Sequence, residues 1–257
     1  MCGVAGPVQT AAMPTDALLA RFLHYVMPLR PLALWAHGSL AGGDYQEGRS
    51  DLDLIAVVPG PLTLGTVRGV IRTHRRLRAE PLAAGLHCTY LTPAASADPG
   101  AAHLTWAHGH VMRRPVTPVT RRELHDFGRV LHGAPPAGLL PPVPDGQLHE
   151  FVLLDQRDYW RPKVDRARLW RHDVWVDLGL LTFARATVTL REGRLIAKRE
   201  ALAELTALGA PAEVVEDITR RRYGAPAPRG GAWLARRAEL TRAYLGPAID
   251  ALVTSYG

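Results

Sequence analysis

Two aspartates one residue apart, Asp51 and Asp53, open an apolar run in the stretch HGSLAGGDYQEGRSDLDLIAVV, residues 37–58. In a strand, residues i and i+2 point the same way, so both carboxylates leave one face. Two like charges so placed repel unless a cation holds them together. Hard oxygen ligands in this arrangement suit Mg²⁺ carrying nucleotide phosphates. Upstream, Gly38-Ser39 makes a turn after a short apolar segment. Its backbone N–H groups and hydroxyl suit phosphate oxygens. Gly42, Gly43 and Gly48 let the loop between turn and aspartates approach a ligand closely.

The elements that must position these residues follow from apolar spacing. Thr15-Asp16 ahead of Leu18, Leu19, Phe22, Leu23 and Val26 predicts a capped amphipathic helix. Residues 32–35, 52–58 and 86–91 read as strands, and 64–77 as a helix with its arginines on the outer side. The first half is therefore a strand, loop, strand, helix, strand unit. A Pro-rich connector spans residues 134–144. Beyond it, residues 147–159, 174–190, 199–208, 212–223 and 233–253 read as helices. Gly193 and Gly209 suit helix C-terminal positions and Pro211 a helix start.

The 257 residues suffice for a full core, and the apolar and charged shares, 47% and 21%, are those of a soluble globular protein. No apolar run reaches the roughly 20 residues a membrane helix needs. The start, MCGVAGPVQTAAMP, has no basic region followed by an apolar core, so no signal peptide is expected. Cys2 and Cys88 are too few for a disulfide framework and lack zinc-ligand spacing. The expected location is the cytoplasm. The net charge of +7 invites a nucleic-acid reading, but the basic residues are spread along the chain in pairs and triplets. Charge of this kind speaks to association and not to chemistry. Of the 31 basic residues only Lys163 and Lys198 are lysines.

At Gly38-Ser39 and Ser50-Asp51-x-Asp53 the chain resembles the DNA polymerase beta-like nucleotidyltransferase superfamily. With its helical second half, the whole chain looks like the aminoglycoside adenylyltransferases that modify streptomycin and spectinomycin. The resemblance implies an α+β protein: a mixed-sheet nucleotidyltransferase domain over residues 1–118, then an all-helical bundle over 119–257 that completes the nucleotide and substrate sites. It implies Mg²⁺-dependent transfer of AMP from ATP to a hydroxyl of a small, cationic, aminoglycoside-like compound. Asp51 and Asp53 would hold the metal. Gly38, Ser39, Ser50, Arg185 and Lys198 would hold phosphates, with Tyr223 near the nucleotide. Lysine at 198, in a chain that uses arginine almost everywhere, offers phosphate a compact point charge.

Trp160, Asp165 and either Asp173 or Asp177 match the positions that hold the cationic antibiotic. One departure stands out. The family's third acid falls at His87 in LHCTYLTP, a strand with no Asp or Glu, while Glu80 lies in the preceding connection. A neutral imidazole can take the role of catalytic base. The same departure leaves open a nucleotide-binding or sensing protein without catalysis. The charge leaves open a nucleotidyltransferase acting on protein or RNA.

Overall fold

The apolar segments of the first half assemble into one six-stranded sheet in a computed structural model that describes residues 13–226, 228 and 230–257. Residues 1–12, with Cys2, lie outside the described part. In chain order the elements are α1 (Pro14–Val26), β1 (Ala33–Ala36), α2 (Gly38–Ala41), β2 (Leu52–Val57), α3 (Leu64–Arg76) and β3 (Leu86–Leu91). Then come α4 (Pro93–Ser96), β4 (Ala102–Ala107), β5 (His110–Pro115), α5 (Pro118–Phe127) and β6 (Arg129–Gly133). The strand order is β5-β4-β3-β2-β1-β6, with β2 and β3 parallel and the other pairs antiparallel. A parallel pair needs a crossover, and α3 supplies it.

Both faces of the sheet's central strands are buried, which explains why β1 is apolar throughout. Leu18, Phe22 and Val26 of α1 pack with Leu34, Leu54 and Ala56 on one face. Trp35, Ile55, Val57 and Leu91 meet Val116, Leu124 and Leu140 on the other.

Five elements between residues 92 and 133, from α4 to β6, were not apparent from apolar spacing. The β4–β5 hairpin turns on His108-Gly109, both at positive φ (53° and 80°), the conformation that matches strand twist in a two-residue turn. α5 and β6 follow, and β6 pairs with β1, so the sheet continues past residue 118 to Gly133. At the other end, α1 starts at Pro14 with Met13 in the cap position, not Thr15. Thr15 is buried because its hydroxyl donates to Glu47 Oε2 at 2.6 Å.

The second half is helical, as the sequence predicts: α6 (Asp145–Leu154), α7 (Arg161–Val164), α8 (Asp173–Glu192), α9 (Lys198–Ala207), α10 (Ala212–Tyr223) and α11 (Gly231–Tyr256). Its core gathers Trp170, Val176, Leu180, Leu205, Ile218 and Leu245. Gly193 ends α8 in the left-handed conformation. The single helix expected over 147–159 instead passes into a π-helical segment, Asp155–Trp160, before α7.

His74 of α3 sits under the sheet, its ring stacked on Trp106 at 4.8 Å and its Nε2 2.9 Å from the Tyr90 hydroxyl. Burial, with a smaller contribution from His87, pushes its pKa down from 6.5 to about 3. Between these values only the unfolded chain takes up the proton, so His74 makes stability fall as pH falls through that window. His74→Gln is therefore expected to flatten the loss of stability from pH 6.5 down to about 5, above the main carboxylate range. Urea unfolding at several pH values checks this; an unchanged slope would contradict it.

Candidate active site

The site begins with a left-handed backbone turn that favours glycine. Gly38 follows β1 at φ 62°, and a Cβ there would lie 2.9 Å from Asp53 Oδ2. Absence of that carbon lets the turn close against the carboxylate. The His37 amide donates to the Asp53 carbonyl at 3.0 Å, stitching the turn to β2.

Register brings the next residue in. Asp53 lies opposite His87 across the parallel β2–β3 pair. His87 Nδ1 is 3.7 Å from Asp53 Oδ1, and its Nε2 is 4.0 Å from Asp51 Oδ1. His87 is buried, and its Nε2 has no hydrogen-bond partner. Burial raises the Asp53 pKa, but the His87 ring, His37 and Lys198 outweigh that and hold the carboxyl below its ordinary value. Asp53 is thus kept ionised by its surroundings.

Across from this pair stands the helical half. A cleft of about 750 Å³ is lined by Gly38, Ser39, Asp51 and Asp53 on one side and by Arg185 and Lys198 on the other. Lys198 opens α9. Burial lowers its pKa, helped by Arg222 and Arg185, while Asp53 and Asp51 pull it back up. Arg185 is aimed by two bonds, from Nε to the Ile196 carbonyl at 2.9 Å and from Nη2 to Glu123 Oε1 at 2.7 Å.

Glu123, on α5, joins the two halves, and the motif reading missed it. Its other oxygen lies 3.3 Å from His37 Nδ1. Burial raises the Glu123 pKa, but His37 and Arg185 lower it further, so the net shift is downward. Burial pulls the His37 pKa down, but Glu123 and Asp53 raise it above 6.5.

A second clasp lies beside the first. Asp44, buried in the Gly-rich loop, accepts from the Tyr223 hydroxyl at 2.8 Å, from Arg222 Nη2 at 3.2 Å and from the Arg199 amide at 3.2 Å. The Arg199 guanidinium covers the Tyr223 ring at 4.2 Å. Tyr223 therefore holds the loop through Asp44 and does not line the cleft. Ser50 also points into its own loop, its Oγ accepting from the Gln46 amide at 3.0 Å.

The residues expected to hold a cationic acceptor lie elsewhere. None of Trp160, Asp165, Asp173 and Asp177 lines the cleft. Trp160 is buried against Tyr159 and Trp175. Asp165 pairs with Arg161 at 3.3 Å, and Asp173 with Arg237 at 2.6 Å. Asp177 takes two bonds from Arg221, at 2.6 and 2.7 Å.

Among the described residues no three His, Cys, Asp or Glu side chains form a metal cage. The Asp51–Asp53 pair nevertheless fits Mg²⁺, which takes one or two carboxylates and completes its shell with water and substrate phosphates.

This mixed sheet with a Gly-Ser turn, an Asp-x-Asp strand and a helical second half has the nucleotidyltransferase fold. It is similar to the crystal structure of spectinomycin adenyltransferase AAD(9) from Enterococcus faecialis, solved with ATP and spectinomycin. The TM-score is 0.71 at 16% identity, over 91% of this chain and 99% of that one. No protein-family model and no curated protein sequence matches the chain.

Glu123→Ala would leave the Arg185 guanidinium and the His37 ring with no carboxylate between them. Breaking a buried ion pair at one partner costs about 3 kcal/mol or more. That loss is expected in chemical denaturation of the variant; a change below about 1 kcal/mol would show that Glu123 does not hold the halves together.

Proposed function

We propose that the protein transfers AMP from ATP to a hydroxyl of a small polyhydroxy compound of the aminoglycoside kind, with Mg²⁺. One observation carries this reading: the Gly38-Ser39 turn, Asp51 and Asp53 face Lys198 and Arg185 across a single cleft. The likeness in fold to an adenyltransferase solved with ATP and spectinomycin supports it. In this reading residues 1–118, together with β6, form the catalytic unit, and the helical remainder completes the site. Among the described residues no helix is long and apolar enough to cross a membrane. A small acceptor that diffuses to the site in the cytoplasm is consistent with that.

Asp51 and Asp53 would hold Mg²⁺, which supplies neutralising charge to the triphosphate. Ser39 and the Gly38 turn would hold phosphate oxygens, as their N–H and O–H groups suit. The acceptor oxygen forms a bond to the α-phosphorus as the bond to the bridging oxygen of pyrophosphate breaks. Lys198 and Arg185 would neutralise the charge that develops on the leaving group. The proton lost by the hydroxyl goes to His87, whose Nε2 has no hydrogen-bond partner. The histidine in place of a third carboxylate also favours a second reading, a nucleotide-binding protein without transfer.

Pyrophosphate release from Mg–ATP separates the two, using spectinomycin, streptomycin and uncharged polyols as acceptors. Transfer predicts acceptor-dependent release that Asp51→Asn and Asp53→Asn abolish without unfolding the chain. His87→Ala should lower it roughly 10²–10⁴-fold, the usual worth of a positioned base. ATP binding with no release on any acceptor would favour the second reading. Wild-type turnover in either aspartate variant would exclude the metal role.

A further inference from the structure

Behind Arg185, the cleft meets a smaller cavity of about 60 Å³. The two spaces share Val119, Arg185 and Leu195 as walls. The far wall of the small cavity is the π-helical segment that follows α6. π-helical turns interrupt regular helices mostly at functional positions. Here the segment carries Gln156, only 1% exposed, on the buried stripe Leu148, Val152, Gln156 and Trp160. An apolar side chain would serve packing at that position. Instead the carboxamide presents both Oε1 and Nε2 without a hydrogen-bond partner.

A buried amide with neither end satisfied is destabilising, so its presence calls for a reason. The surrounding polar groups do not provide one. The hydroxyl of Thr189 donates to the Arg194 carbonyl, and Arg185 is committed to Glu123 and Ile196. Asp155 is engaged by Trp160. Gln156 is the lining residue whose donor and acceptor are both buried without a partner, the Thr182 hydroxyl shares the lining, and no residue of the Gly38–Asp53 pole lines the cavity.

We propose that this cavity is an acceptor subsite in which Gln156 binds a neutral group bearing one donor and one acceptor, such as a carboxamide, a hydroxy-carbonyl or a vicinal diol. The proposal rests on the transfer reading only for assigning that group to the acceptor. Volume supports the size of the group. One water needs roughly 10–15 Å³ of such space, so the cavity takes a group of about four or five non-hydrogen atoms, too few for a purine. Charge supports its neutrality. Asp165, Asp173 and Asp177 are each neutralised by an arginine of the helical half, and the cavity wall carries one charged group of each sign, Arg185 and Asp155. Selection by a neutral polar edge replaces selection by positive charge.

The test uses the full chain, acetamide as the neutral donor–acceptor probe and methylammonium as the cationic control. The side-chain amide signal of Gln156 is identified in ¹H–¹⁵N spectra by its loss in Gln156→Leu. Expected is a saturable shift of that signal with acetamide and none with methylammonium. Gln156→Leu, which removes two unsatisfied groups at similar volume, should raise Tm by about 2–4 °C. It should leave Mg–ATP affinity within about twofold, since a subsite for the acceptor does not touch the nucleotide. The proposal is overturned if acetamide gives no saturable shift or methylammonium gives one. It is equally overturned if the leucine variant fails to gain stability, the result expected of a water-bridged structural amide, or loses more than twofold in ATP affinity. Acetamide binding that persists while no acceptor is adenylylated would retain the subsite and reject transfer, so the two can fail separately.

Discussion

Glu123 is a buried carboxylate held between the His37 ring beside the Gly38 turn and the Arg185 guanidinium on α8. One of its oxygens faces the sheet and the other faces the bundle. A buried charge is tolerated only when it is paired and hydrogen-bonded, so this carboxylate fixes how closely the two halves approach. That approach sets the width of the cleft and brings Arg185 opposite Asp51 and Asp53. The side chain that aims the phosphate-binding arginine is thus also the one that joins the halves.

Asp44 repeats this logic at the Gly-rich loop. Its carboxylate is satisfied by Tyr223, Arg222 and the start of α9, the helix whose first residue is Lys198. The loop and Lys198 are therefore positioned by one buried acid. Elsewhere in the bundle the arginines serve differently. Arg221 and Arg237 draw Asp173, Asp177 and Asp217 into an ion-pair network, which neutralises acids that would otherwise face solvent or a cationic ligand. A charged site and a charged framework coexist because every acid of the network is paired with an arginine.

What could be read from sequence was whatever depends on neighbours in the chain. Asp51 and Asp53 share a face because strand residues alternate, and the Gly38-Ser39 turn follows a short apolar strand. The helices of the second half follow their apolar periodicity closely, α10 to the residue. The β4–β5 hairpin had a signal, His108-Gly109 between apolar strands, that apolar spacing alone does not weigh. Glu123 had none. Its partners lie 86 and 62 residues away, and only folding brings them together. The same holds for Asp173 and Asp177, whose arginine partners are distant in the chain, whereas Asp165 pairs with Arg161 at the local i,i+4 spacing. His87 lay between these cases: its strand was legible, but its approach to both carboxylates depends on the β2–β3 register.

A nucleotide gripped from both sides of the cleft requires that the helical half contribute to its binding. Titration calorimetry of Mg–ATP into the wild-type chain and into Lys198→Ala measures this directly. Expected is binding to the wild type, weakened roughly tenfold or more in the variant at an unchanged Tm, the usual worth of a charge-assisted contact to phosphate. Lys198→Arg should restore it only in part, because a planar fork replaces a point charge. Equal affinity in wild type and Lys198→Ala would contradict the two-sided cleft.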